Sequence, residues 1–253
     1  MKKLTAALKL LTASTIGFGI ISSASVASAA SLVPNQEGEV SLLGLGCRSS
    51  LNCIHTTSLH PVGYTVESFG FSAADGTKYG KSLLFVDDRS TPQEFTVNGF
   101  GVKFLAEDEG TNPALGQKWF RPMAVNRSGR PVENGRLEVG LFEFVFQSVI
   151  DKLELTFFDV EDPGTLISNL NGNLSNILTT PGDNGNLQTV TLTNVKSFKV
   201  QLGSPKTSTF PRTGDGVNLQ LTKVPEPGTV FSLGALAIGG VVAAGKRKRV
   251  SAN

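Results

Sequence analysis

Four residues near the start of the chain have side chains that hold metal ions or form cross-links: Cys47, Cys53, His55 and His60. They are all the cysteines and histidines the sequence contains. Two thiolates and two imidazoles make an acceptable zinc set, but the spacing matches no finger pattern. In an oxidising compartment such a close cysteine pair is most simply a disulfide, which removes both thiolates from metal chemistry. The loop it closes is short, so its entropic gain lies at the low end of the usual range. A Cys47–Cys53 disulfide is therefore expected.

Carboxylates are the next candidates. Glu154, Asp159, Glu161 and Asp162 gather at and beyond one strand end, and Asp87 and Asp88 at another. A glycosidase needs two carboxylates facing each other across the scissile bond. Alternation along the strand, however, puts Glu154 on the solvent face, and Asp162-Pro163 is a turn signal. The sequence offers no nucleophile elbow, no histidine-based triad and no phosphate loop, so it reads as that of a non-enzyme. The oxygen-rich turns 159–162 and 183–186 offer hard ligands of the kind calcium takes, with Asp159, Glu161, Asp162 and Asp183 as candidates. Neither turn has EF-hand spacing, and a solvated loop is the simpler state. No other cofactor is expected. A sugar site would combine an aromatic platform with planar polar groups, and Trp119 beside Arg121 is the grouping that fits. One Trp and two Tyr are few for a dedicated sugar module.

The elements that must position these groups read as strands. Leu153, Leu155 and Phe157 alternate with Glu154 and Thr156, and Phe198, Val200 and Leu202 with Lys199 and Gln201. Val217, Leu219 and Leu221 repeat the pattern. Phe95 and Val97, then Phe100, Val102 and Phe104, change phase at Gly99; Leu137 and Val139, then Phe142, Phe144 and Phe146, change phase at Gly140. A glycine at a change of phase predicts a bulge or strand bend. The segments 119–131 and 168–188 read as polar or proline-punctuated connections, the second holding a hairpin. Short alternating strands separated by Gly, Asn and Pro predict an all-β fold, an antiparallel jelly-roll-like β-sandwich. The 16 phenylalanines suit the space between two facing sheets.

Both ends differ from this body. Lys2, Lys3 and Lys9 precede an apolar run, and Ala27-Ser28-Ala29 has the small-residue pattern of a signal-peptidase site, so 1–29 reads as a cleaved signal peptide. At the other end, Pro225-Glu226-Pro227 is followed by the uncharged stretch 228–245 and then Lys246, Arg247, Lys248 and Arg249. About 18 residues at about 1.5 Å each give a helix just long enough to cross a bilayer core. The basic cluster stops transfer and holds its end on the cytoplasmic side. All 21 acidic residues lie between these two basic ends, where they face 16 basic ones, a net −5. An acidic body without a basic stripe argues against nucleic acid as a partner.

The order Pro225-Glu226-Pro227, apolar helix, terminal basic cluster closely resembles the PEP-CTERM sorting signal of Gram-negative bacteria. The resemblance covers residues 224–253 and implies that an exosortase recognises Pro225, Glu226 and Pro227. The catalytic residues would belong to that partner, and this chain would be its substrate. Leu137-Glu138-Val139-Gly140 resembles the core of the LEVG family of PEP-CTERM proteins, which has no established biochemical activity to carry over. The expected route is export through signal peptidase and the secretion machinery, an intermediate held in the inner membrane by the transient C-terminal helix, and delivery to the cell surface or extracellular matrix. The delivered domain, 30–223, is expected to be a structural or interaction protein linked to exopolysaccharide or biofilm. A carbohydrate-binding module is the alternative, and a glycan-cleaving enzyme the third reading.

Overall fold

The computed structural model describes residues 28–88, 90–104 and 116–225. Ala27, Glu226, Pro227, the apolar stretch 228–245 and the cluster Lys246, Arg247, Lys248 and Arg249 lie outside the described residues. Among the described residues, no helix is long and apolar enough to cross a membrane.

The fold is all-β. In chain order the strands are β1 (Ala30–Ser31), β2 (Gly38–Val40), β3 (Cys53–Ile54), β4 (Tyr64–Phe69), β5 (Leu83–Asp87), β6 (Gln93–Val97) and β7 (Phe100–Phe104). They continue as β8 (Trp119–Met123), β9 (Gly140–Phe158), β10 (Leu166–Leu170), β11 (Asn173–Leu178), β12 (Leu187–Leu202) and β13 (Asn218–Lys223). One large sheet runs β11-β10-β12-β9-β13-β8-β5-β2-β3, with β1 beside β13 and β4 beside β9; β6 and β7 form a separate hairpin. The sheet is mixed rather than purely antiparallel, because β2 and β3 run parallel. The connection 41–52 is long enough for the crossover that a parallel pair requires.

Strands β9 and β12 form the spine. They pair from Leu187 opposite Phe158 to Leu202 opposite Gly140, but the register shifts between Val195 and Ser197, where β9 carries extra residues. The partners of β9 change there too. Its first half pairs with β4, from Leu141 opposite Phe69 to Phe146 opposite Tyr64. Its second half pairs with β13, from Leu153 opposite Lys223 to Phe158 opposite Asn218. Period-two alternation holds in both halves: Phe142, Phe144, Leu153, Leu155 and Phe157 are all fully buried. Phe144 on the first half stacks on Phe198 (4.9 Å) and also meets Phe120 of β8 (5.6 Å).

Three local expectations are corrected. The phase change at Gly99 is a hairpin, not a bulge. Asn98 (φ 49°) and Gly99 (φ 81°) both take positive φ, the requirement of a two-residue type I′ turn, and Val97 pairs with Phe100 across it. Gly140 begins β9 instead of bending it. An added Cβ there would lie 2.3 Å from the Phe142 ring and 2.9 Å from the Ser82 Cβ, so close packing requires the glycine. Residues 119–123 are no connection but a buried strand, β8, paired with β5 from Asp87 opposite Trp119 to Leu83 opposite Met123. Pro122 is tolerated because β8 meets β13 only at Phe120, leaving its later residues with a strand on one side. In 168–188, β10 and β11 do form a hairpin, turning at Asn171 (φ 53°) and Gly172 (φ 81°).

Candidate functional site

Cys47 and Cys53 are joined by a disulfide (S–S 2.08 Å). Both thiolates are therefore consumed, and the zinc set with His55 and His60 does not arise. The loop it closes is fixed from within: Glu39, fully buried on β2, accepts the N–H groups of Arg48 (2.7 Å) and Ser49 (2.5 Å) through one carboxylate oxygen.

The densest chemistry lies around Arg121. Trp119 and Arg121 sit two residues apart on one face of β8. The Arg121 guanidinium donates to Asp87 at the end of β5 (2.6 Å) and to Glu138 (2.5 Å), and lies 4.3 Å from the centroid of the Phe104 ring. All three ionised groups are buried. Glu138 reaches this position because Leu137 and Val139, its neighbours in the Leu137–Gly140 motif, point the other way into a small cluster with Ala73, Tyr79 and Ala124. Burial alone would lower the pKa of Arg121, but Glu138 and Asp87 outweigh it and raise it. Desolvation is expensive for each ion, so the triad persists only because each carboxylate faces the guanidinium.

A cavity of about 350 Å³ opens beside this triad. Its cations are Lys103, Arg121 and Arg136, its carboxylates Glu138, Asp159, Glu161 and Asp215, and Asn184 and Phe210 complete the polar and aromatic walls. Asp215 is the unusual group. Its carboxylate accepts long hydrogen bonds from the N–H groups of Asp162 (3.2 Å) and Glu161 (3.5 Å). Burial pushes its pKa up to about 7; those N–H groups oppose the shift, and the charges of Asp159 and Glu161 add to it. Asp162, one turn away, is held lower. Burial would raise it, but hydrogen bonds from Thr207, Thr209 and Ser208 win.

The calcium candidates are dispersed by their own contacts. Asp159 accepts from Gly185 N–H (2.7 Å), and Asp162 from the Ser208 hydroxyl and Thr209 N–H (each 2.9 Å). Glu161 lines the cavity, and the Asp183 side chain is exposed. The three carboxylates that come within 4.8 Å of one another among the described residues are Glu37, Asp87 and Asp88. Protein cations already sit against them: Lys118 at 3.2 Å from Glu37 and 2.7 Å from Asp88, and Arg121 on Asp87.

Trp119 is not a glycan platform. Its ring is 1% exposed and packs 5.5 Å from Phe158, so neither face is open to a sugar. Arg121, its proposed companion, is locked in the triad. Lys103, Arg136, Phe210 and Asp215, which line the cavity, carry no motif, because they arrive from separate segments of the chain. Pro225 lies just beyond β13, where Val224 N–H donates to the Lys152 carbonyl (3.0 Å). No protein-family model, curated protein or solved structure matches this chain.

Proposed function

We propose that this chain is an exported surface or extracellular-matrix protein of structural or interaction type, sorted by an exosortase in a Gram-negative bacterium. The observation that carries the reading is the tandem order of Pro225-Glu226-Pro227, an uncharged helix-length stretch and Lys246, Arg247, Lys248 and Arg249. The Cys47–Cys53 disulfide and the acidic body are in keeping with an oxidising exterior. The domain delivered is read as a jelly-roll-like β-sandwich, its two layers carried by the two halves of β9 and β12. Contacts of Phe120 on β8 with Phe144 (5.6 Å) and with Tyr64 on β4 (6.5 Å) support two facing layers. Replacing Pro225, Glu226 and Pro227 by alanine should leave membrane insertion intact and block release, so full-length chain accumulates in the membrane fraction. Processing and delivery at the wild-type level would reduce the tail to a plain anchor.

Carbohydrate binding is the second reading, and the cavity favours it. Planar polar groups on Arg136, Glu138 and Asn184 beside the Phe210 ring are the components a sugar site combines. Phe210→Ala and Asn184→Ala should each weaken retention on an exopolysaccharide column while the thermal midpoint is kept. Unchanged retention in both variants would remove the cavity as the sugar site.

A further inference from the structure

Among the described residues, the second half of the β9–β12 pair leaves one backbone edge open. On β12, residues 187–193 pair with β9 on one side only. Strand β10 covers the other side only from Phe198 to Gln201, and its hairpin ends where Asn171 takes the N–H groups of Lys196 (2.7 Å) and Ser197 (3.1 Å). The Asn186 carbonyl accepts from Asp159 N–H (2.9 Å) across the β9 side. Alternation along an antiparallel strand therefore turns the backbone groups of Leu187, Thr189, Thr191 and Thr193 outward. Their side chains are exposed as well.

Edges of this kind are normally blunted by lysine, proline or a bulge. Strand β11, at the end of the sheet, has such a bulge: Ser175 and Asn176 stand against Ser168 alone. The β12 edge has none of these devices. Its register is regular from Leu187 to Thr193, and between 165 and 195 the single charged residue is Asp183.

We infer that residues 187–193 of β12 pair antiparallel with the same residues of a second copy, joining two sheets about a two-fold axis at Val190. The axis decides the occupant. An isologous contact sets the edge against an identical copy of itself, so an edge with charges of one sign would repel its mate, whereas this one is uncharged. Outward-bonding residues must pair with outward-bonding residues. With Val190 on the axis, Thr189 faces Thr191 of the second copy and Leu187 faces Thr193, and every outward N–H and C=O finds a partner. Cross-strand threonine pairs add to the contact. The pairing is independent of what the cavity binds.

The register can be tested in the full chain held in non-ionic detergent. Val190 of the two copies would form a non-hydrogen-bonded pair, with Cα atoms about 4.5 Å apart, within reach of a disulfide. Val190→Cys should give a cross-linked dimer on a non-reducing gel after mild oxidation, and Thr189→Cys, offset from its own mate, should not. Adding Thr189→Lys and Thr191→Lys to Val190→Cys sets lysine against lysine and should abolish the dimer band. Thr189→Lys with Thr191→Glu sets opposite charges together and should restore it. No band from Val190→Cys, equal bands from both cysteine variants, or a band indifferent to the lysine pair would each overturn the inference.

Discussion

The cavity beside Arg121 and the open edge of β12 are neighbours built on opposite terms. Both adjoin the end of β9: Asp159 follows its last residue and lines the cavity, and Leu187 pairs with that last residue and begins the edge. Around the cavity, charges of both signs are concentrated and several are buried, each held by a named partner. Along the edge there are no charges, and the reactive feature is the backbone. A charge can be buried where a second chain segment brings an opposite charge within hydrogen-bond distance. On an open strand, the same charge would instead decide whether another strand can approach. Charge is thus a structural material in one region, and its omission shapes the other.

Substitution separates the two regions by the size of its effect. Arg121→Ala leaves Asp87 and Glu138 buried without the guanidinium, a change that costs about 3–5 kcal/mol. Replacing all three ions by apolar residues of similar volume should recover much of that loss, since a buried pair or triad is often no more stable than its hydrophobic replacement. On the edge, Thr191→Ala removes an exposed side chain and should stay within about 0.5 kcal/mol of wild type. Urea unfolding midpoints of the full chain in detergent measure all three. Equal losses at Arg121 and Thr191 would mean that the triad does not organise its surroundings.

What the sequence revealed followed the same division. Strands with one face in the core were readable from alternation: Leu153, Leu155 and Phe157 on β9, Phe198, Val200 and Leu202 on β12, and Leu219 and Leu221 on β13 are all buried as their spacing requires. Strand β8 was not, because both of its faces are covered. Trp119 through Met123 are buried without interruption, so no period appears, and Pro122 and Arg121 counterfeit a loop. The Asn98-Gly99 hairpin was hidden by its shortness, since a two-residue turn and a one-residue bulge both change the phase of alternation. The disulfide was legible because its cysteines are close in sequence. The cavity was not, because Lys103, Arg136, Asp159 and Asp215 become neighbours only after β7, β9 and the β12–β13 connection are in place. Glu138 stands out in the sequence for its motif, and Arg121 reads there as part of a sugar platform; nothing in spacing links positions 121 and 138.

A smaller difference between the two regions is read through pH. Asp215 has a folded-state pKa pushed up to about 7 from an ordinary value of 3.8. Between those values the folded chain keeps a proton that the unfolded chain releases, so the stability this group contributes is complete below about pH 4 and is lost as pH rises through 7. Glu133, raised mainly by burial, acts in the same direction. Asp75, lowered to about 2 by its hydrogen bonds from Lys206 and Thr77, acts oppositely, but its contribution is lost only below about pH 4. The window between pH 4 and 7 therefore reports chiefly on the cavity. In thermal scans of the full chain, the midpoint should fall as pH rises across that window. Asp215→Asn should flatten the fall and leave the variant more stable than wild type at pH 7, since a neutral amide can still accept from the backbone N–H groups. Thr191→Ala, on the β12 edge and outside the cavity, should keep the wild-type pH slope. A pH slope that survives Asp215→Asn undiminished would show that the carboxylate is not held protonated in the cavity.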